Sequence, residues 1–165
     1  MKIIFRLILL AALIAVGVWL WFVLFPSPEK TIKTKLGKLA RTVSFSASEG
    51  NLARLAGAQK VAGFFSTNVE VNINVPGHER QIFAGRDEIT QAALGTRSAL
   101  NSLAVKFPDV NVTVAPDKQS AMADVTLEAT ISGERDVIVQ EMKFTFEKSD
   151  GQWLIKKIET VRVLS

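Results

Sequence analysis

The chain contains no cysteine and no tyrosine, and His78 is its only histidine. Without thiols there are no disulfides, thiolate metal sites or cysteine nucleophiles, and the redox compartment stays open. A single imidazole falls short of the several His and Cys ligands of a protein zinc site, so no metal and no other cofactor is expected. Gly-x-Ser-x-Gly elbows, phosphate loops and dinucleotide fingerprints are absent, as are internal repeats and low-complexity segments. Net charge is small as well. The formal balance is +4, and setting aside Lys2 and Arg6 leaves +2 (18 basic minus 16 acidic residues). That balance is too mild and too scattered for a nucleic-acid footprint, so no nucleic acid is expected as a partner.

What is abundant is apolar surface at the N-terminus. Leu7 to Phe25 is an unbroken apolar run of 19 residues. As a helix it measures roughly 28 Å at about 1.5 Å per residue, close to a bilayer core of about 30 Å. Lys2 and Arg6 precede it, and Trp19, Trp21, Phe22 and Phe25 suit an interfacial aromatic belt. The run carries most of the mean hydropathy of +0.22. It reads as a single-pass anchor, a transmembrane helix over about residues 4–25, with the lipid bilayer as its partner. A cleaved signal peptide is the rival, but the run is long for one and bulky residues stand where small ones should precede cleavage. Lys2 and Arg6 favour a cytoplasmic N-terminus and an extracytoplasmic domain. Lys30, Lys33, Lys35, Lys38 and Arg41 weigh the other way. The chain therefore divides into an anchor and short linker, 1–28, and a domain, 29–165.

Ser27-Pro28-Glu29 has the chemistry of a helix start, and Ile32, Leu36, Leu39 and Val43 recur at helical spacing with lysines on the solvent side. The lysines read as a solvated helix face or as a contact to anionic lipid beside the anchor. Ser46 to Glu49 fits a capping box for a second helix with Leu52, Leu55, Val61, Phe64 and Phe65 as its apolar members. Gly57 and Gly63 weaken that helix or allow close packing. Val69 to Val75 alternates as a half-buried strand, Pro76-Gly77 turns it, and Arg80 to Ala84 returns. Gly85-Arg86-Asp87-Glu88 opens a third helix running through Ile89, Ala92, Ala93, Leu100 and Leu103 to Phe107, with Pro108 as its stop. Val110 to Val114 is a further strand.

The last third, Gln119 to Leu164, reads as three long antiparallel strands. Val137–Glu147 and Gln152–Leu164 alternate with period two around Lys148-Ser149-Asp150-Gly151, whose Asp-Gly is hairpin-turn chemistry. Setting Phe146 opposite Trp153 pairs Phe144 with Ile155, Met142 with Lys157 and Gln140 with Glu159, all on one face. The preceding strand then puts Ala121 beside Phe146 and Ala123 beside Phe144, small against large. The same register collects Gln140, Lys157 and Glu159 into one polar cluster on the inner face, where a buried Lys beside a Glu would titrate abnormally. The bland reading of this trio is a solvated salt bridge at the rim, and a one-residue slip would abolish the cluster.

The order helix, helix, hairpin, helix, four-stranded meander comes with Phe83-x-Gly85-x-x-x-Ile89 and Phe144-x-Phe146-Glu147-x-x-Asp150-Gly151-x-Trp153-x-Ile155. From about Glu29 onward it resembles the nuclear transport factor 2-like superfamily, with its SnoaL-like members and cystatin-like cone fold. The resemblance implies an α+β fold: a strongly curved, mostly antiparallel sheet packed on three helices behind one transmembrane helix, with a pocket at the wide end of a cone. It also implies pairing of two copies through the sheet. The steroid isomerases of that superfamily use a tyrosine in their oxyanion hole, which this chain lacks. Its hydrolases and dehydratases rely on Asp/Arg/Asp or His/Asp groupings. The inward face of the strand Ala121, Ala123, Val125, Leu127, Ala129 has no acid.

Three functions follow as expectations. The first is a non-enzymatic module that binds a small hydrophobic ligand, with Gln140, Met142, Phe144, Trp153, Lys157 and Glu159 as its ligand-binding residues, or that binds a protein. The second is a SnoaL-like enzyme of cyclase, isomerase or dehydratase type, in which Glu159, Lys157 and His78 are lesser candidates for proton transfer. The third is a structural subunit of an envelope complex that uses an outer sheet face with Lys143, Lys156, Ile158 and Thr160.

Overall fold

The computed structural model of the chain describes residues 12–17, 27–74, 80–133 and 136–161. Residues 12–17 are helical, with Leu13, Ile14 and Val16 exposed. Among the described residues no helix is long and apolar enough to cross a membrane. The rest of the expected anchor lies outside them, as do His78 and the turn at Pro76-Gly77.

Three helices, α1 (Pro28–Val43), α2 (Asn51–Ala62) and α3 (Gly85–Ala99), are joined to six strands: β1 (Phe65–Ile73), β2 (Gln81–Ala84), β3 (Leu103–Val114), β4 (Ser120–Ile131), β5 (Ile138–Ser149) and β6 (Gln152–Thr160). The strands form one mixed sheet in the order β2-β1-β6-β5-β4-β3, antiparallel except where β1 runs parallel to β6. Helix α1 starts where its cap predicts: the Ser27 hydroxyl accepts from the Lys30 amide at 3.3 Å, and Ile32, Leu36, Leu39 and Ala40 are buried.

Helix α2 departs from expectation. It begins at Asn51 with Gly50 as cap and no side-chain cap bond. The Ser46 hydroxyl bonds instead to Ser48, and the Glu49 carboxylate pairs with Arg97 at 2.6 Å. Arg97 is only 3% exposed, and its guanidinium also donates to the Thr42 carbonyl and lies 4.9 Å from the Phe45 ring centroid. A desolvated cation without a counter-charge costs several kcal/mol, more than the roughly 1 kcal/mol of a cap, so Glu49 serves Arg97. Leu52 is 84% exposed, Ala58, Val61 and Ala62 make the buried face, and Phe65 belongs to β1.

Helix α3 ends at Ala99 rather than running on to Phe107. Leu103 exchanges two backbone hydrogen bonds with Phe45 and opens β3, and Pro108 sits inside that strand where its pairing with β4 shifts between Lys106 and Asp109. An edge strand at an irregularity is where a residue without an N–H is tolerated.

Strands β4 and β5 pair as the small-against-large pattern predicts, with Ala121 opposite Phe146, Ala123 opposite Phe144 and Val125 opposite Met142. The β5–β6 register differs. Asp150 and Gly151 both adopt positive φ (50° and 77°), which makes a tight two-residue turn and keeps the strands paired down to Ser149 and Gln152. Phe146 therefore faces Ile155, and Trp153 faces Lys148. One step further β6 gains an extra residue, Lys156, and the pairing resumes as Thr145–Lys157, Phe144–Ile158 and Lys143–Glu159. This bulge turns Ile158 inward, 6% exposed, and sends Lys157 and Glu159 to the other side. Spacing Ile155 and Ile158 three apart around two lysines makes the bulge the arrangement that buries both isoleucines and neither ammonium.

Two outcomes test this account. Gly57 lies against Arg97, and a Cβ there would come within 2.7 Å of the guanidinium carbon, whereas Gly37 and Gly95 face open space. Gly57→Ala should lower stability by about 1–3 kcal/mol, while Gly37→Ala and Gly95→Ala should raise it by about 0.5–1 kcal/mol, all read by urea unfolding. Deleting Lys156 should leave the urea midpoint close to that of Lys156→Ala, because removing the bulged residue keeps Ile155 and Ile158 inward and Lys157 outward in a regular strand; a midpoint far below that of Lys156→Ala would argue against the bulge.

Candidate functional site: an apolar cavity between sheet and helices

The inner face of the sheet and the helices line an open cavity of about 290 Å³. Its walls come from every element: Leu39 and Val43 on α1, Val61 on α2, Ile89, Ala93 and Thr96 on α3, and Val71, Phe83, Phe107, Leu127, Met142, Phe144 and Ile158 on the six strands. Phe107 meets Phe144 edge-on at 5.9 Å between centroids, and Phe144 stacks at 6.4 Å on Phe146, so one wall is a rigid aromatic surface. The polar side chains on the wall are Gln81 and Thr96, whose hydroxyl donates to the Ala92 carbonyl at 2.9 Å and keeps lone pairs free to accept. No titratable side chain is among the described residues that line it. Such a space holds an apolar molecule by area and dispersion, with two polar groups to orient it. Proton transfer would need an acid or base within hydrogen-bond reach.

The structure divides the residues expected at the site into four groups. Met142 and Phe144 line the cavity. Gln140 shares their face one position beyond, opposite Leu127, with its amide donating to the Glu141 carbonyl at 3.3 Å. Lys157 and Glu159 do not join Gln140: the bulge puts them on the outer face as an ion pair of 2.5 Å, with side chains 40% and 39% exposed. The hydrogen bond to Glu159 and its negative charge hold the Lys157 ammonium above the usual lysine range. Ile158 and Thr160, expected on the outer face, are on the inner one, opposite Phe144 and Met142. At the start of α3, Glu88 accepts from the Ala84 amide at 2.7 Å and Arg86 donates to the Phe65 carbonyl at 2.7 Å, consistent with their reading as helix-start residues.

Trp153 is buried away from this cavity. It lines a second, open groove of about 420 Å³ formed by Lys30, Thr31, Thr34, Lys35 and Lys38 of α1, by Phe64, and by Gly151 and Gln152 at the β5–β6 turn. The wall residues that sequence reading missed, chiefly Ile158, Phe107 and Phe83, are ordinary apolar residues. Only the three-residue spacing of Ile155 and Ile158 gave a usable sign.

No family model matches the sequence, and no curated protein matches it. Solved structures do. A nuclear transport factor 2-like protein of unknown function from Pseudomonas putida superposes with a TM-score of 0.62 at 11% identity, over 83% of this chain and 87% of its own. A putative scytalone dehydratase from Novosphingobium aromaticivorans gives 0.58 at 16% identity, over 81% and 83%. A putative aromatic ring hydroxylase from the same organism gives 0.65 at 11% identity, over 83% and 90%. Identities this low carry the fold and no activity. The described domain has the nuclear transport factor 2-like, α+β fold.

Proposed function

We propose that this domain binds a small hydrophobic molecule without transforming it, and that residues 7–25 hold it at a membrane with the domain outside the cytoplasm. The observation that carries the binding reading is the cavity itself, about 290 Å³ of apolar wall with Gln81 and Thr96 as its polar side chains and no titratable group among the described lining residues. The neighbouring folds include a putative dehydratase, but the acid–base pair that a similar activity would draw on here, Glu159 and Lys157, faces solvent on the other side of the sheet. The anchor reading rests on the length of the apolar run and its aromatic end. Two copies are proposed to pair through the outer sheet face, where Met122 and Val139 are exposed.

Ala93 stands on α3 at the cavity wall. In a chain beginning at Ser27, Ala93→Phe should weaken saturable binding of the neutral fluorophore N-phenyl-1-naphthylamine at least tenfold with the melting temperature held or raised. Glu159→Gln should change neither. Binding that survives Ala93→Phe would remove the cavity as the site. For the anchor, the full chain should stay in the membrane pellet through alkaline carbonate extraction, and a chain lacking residues 1–26 should be released.

A further inference from the structure

The groove beneath Trp153 lies away from the apolar cavity and has the opposite character. Lys30, Lys35 and Lys38 line it from α1, and Lys148 holds its ammonium 6.0 Å from the Trp153 ring centroid. Lys35 is not a solvated surface lysine: it is half-buried, with its ammonium 5.6 Å from the Phe64 ring centroid. Among the described residues no carboxylate lines the groove, and none of these lysines takes part in an ion pair. Burial and the nearby charges of Arg86 and Lys38 push the Lys35 ammonium below the usual lysine range. The fold thus crowds cations around an apolar, aromatic floor and leaves their charge unbalanced, an arrangement that an anion with an adjoining apolar part would relieve.

Position supplies the occupant. Helix α1 starts at Pro28, and Lys30 follows Phe25, the end of the apolar run, by five residues, at most about 18 Å of extended chain. With residues 7–25 in a bilayer, the groove is within reach of its headgroup layer. We propose that this groove takes the phosphate-bearing headgroup of an anionic phospholipid, its phosphate among Lys30, Lys35 and Lys38 and its glycerol region against Phe64 and Trp153. The proposal rests on the anchor reading for location only. Carbonate extraction tests the anchor, and the titration below tests the groove without requiring insertion.

The chain has three tryptophans, Trp19, Trp21 and Trp153. In the full chain carrying Trp19→Phe and Trp21→Phe, held in a non-ionic detergent, Trp153 fluorescence reports on the groove. Dihexanoyl phosphatidylglycerol should change it saturably. Dihexanoyl phosphatidylcholine should not, and inorganic phosphate or glycerol phosphate should act at least tenfold more weakly. Lys35→Gln with Lys38→Gln should weaken the phosphatidylglycerol response at least tenfold with an unchanged circular dichroism spectrum, while Lys143→Gln with Lys156→Gln, on the outer face, should leave it intact. Equal responses to the two lipids, or an unchanged response in the Lys35/Lys38 variant, would overturn the proposal. Inorganic phosphate binding as tightly as phosphatidylglycerol would overturn the lipid assignment in favour of a soluble anion.

Discussion

The extra residue in β6 is the constraint on which the interior depends. Without that bulge at Lys156 the strand would alternate evenly from Trp153 onward, and Lys157 and Glu159 would enter the face that carries Phe144 and Met142. With it, Ile155 and Ile158 both lie on the buried face and two successive lysines reach water. One inserted backbone unit exchanges a buried ion pair, whose desolvation its own attraction barely repays, for a buried isoleucine. The cavity owes its apolar wall to that exchange.

The rest of the domain accommodates the same sheet. Ala121 and Ala123 leave room for Phe146 and Phe144, which fill the region near the Asp-Gly turn and leave the remaining space toward β1, β2 and α3. Behind α3 the packing is closed by a polar device: Arg97, clamped by Glu49, the Thr42 carbonyl and the Phe45 ring, ties the end of α1 and the start of α2 to α3, and glycine at position 57 is what lets the guanidinium fit. The ordered charge of the domain is thus spent on holding helices together, on the outer sheet face, and on the groove along α1. The cavity receives none of it.

This division suits a domain with two different surfaces to offer. Under the proposed function the cavity would discriminate by shape and area, with Gln81 and Thr96 giving direction. The groove along α1, under the proposal above, would discriminate by charge, and in sequence it adjoins the stretch with the composition of a membrane span. An apolar ligand and an anionic headgroup are compatible with one location, the edge of a bilayer, where both are at hand.

The sequence by itself determined the element order, the start of α1, the β4–β5 register and the α+β class, because each rests on a local signal: Ser27-Pro28, period-two alternation, Asp-Gly, and alanines set against phenylalanines. It also determined the absence of thiol and oxyanion-tyrosine chemistry, since the chain has no cysteine and no tyrosine. Only the tertiary structure decided where α2 begins, where α3 stops, and which face of β6 looks inward. Glu49 leaves its expected capping role because Arg97 is distant in sequence but adjacent in space. Leu103 leaves the helix because Phe45 offers it a backbone partner. Lys157 and Glu159 leave the interior because burying Ile158 favours a bulge that alternation does not reveal. In each case a long-range burial or charge term outweighed a local propensity of about 1 kcal/mol or less.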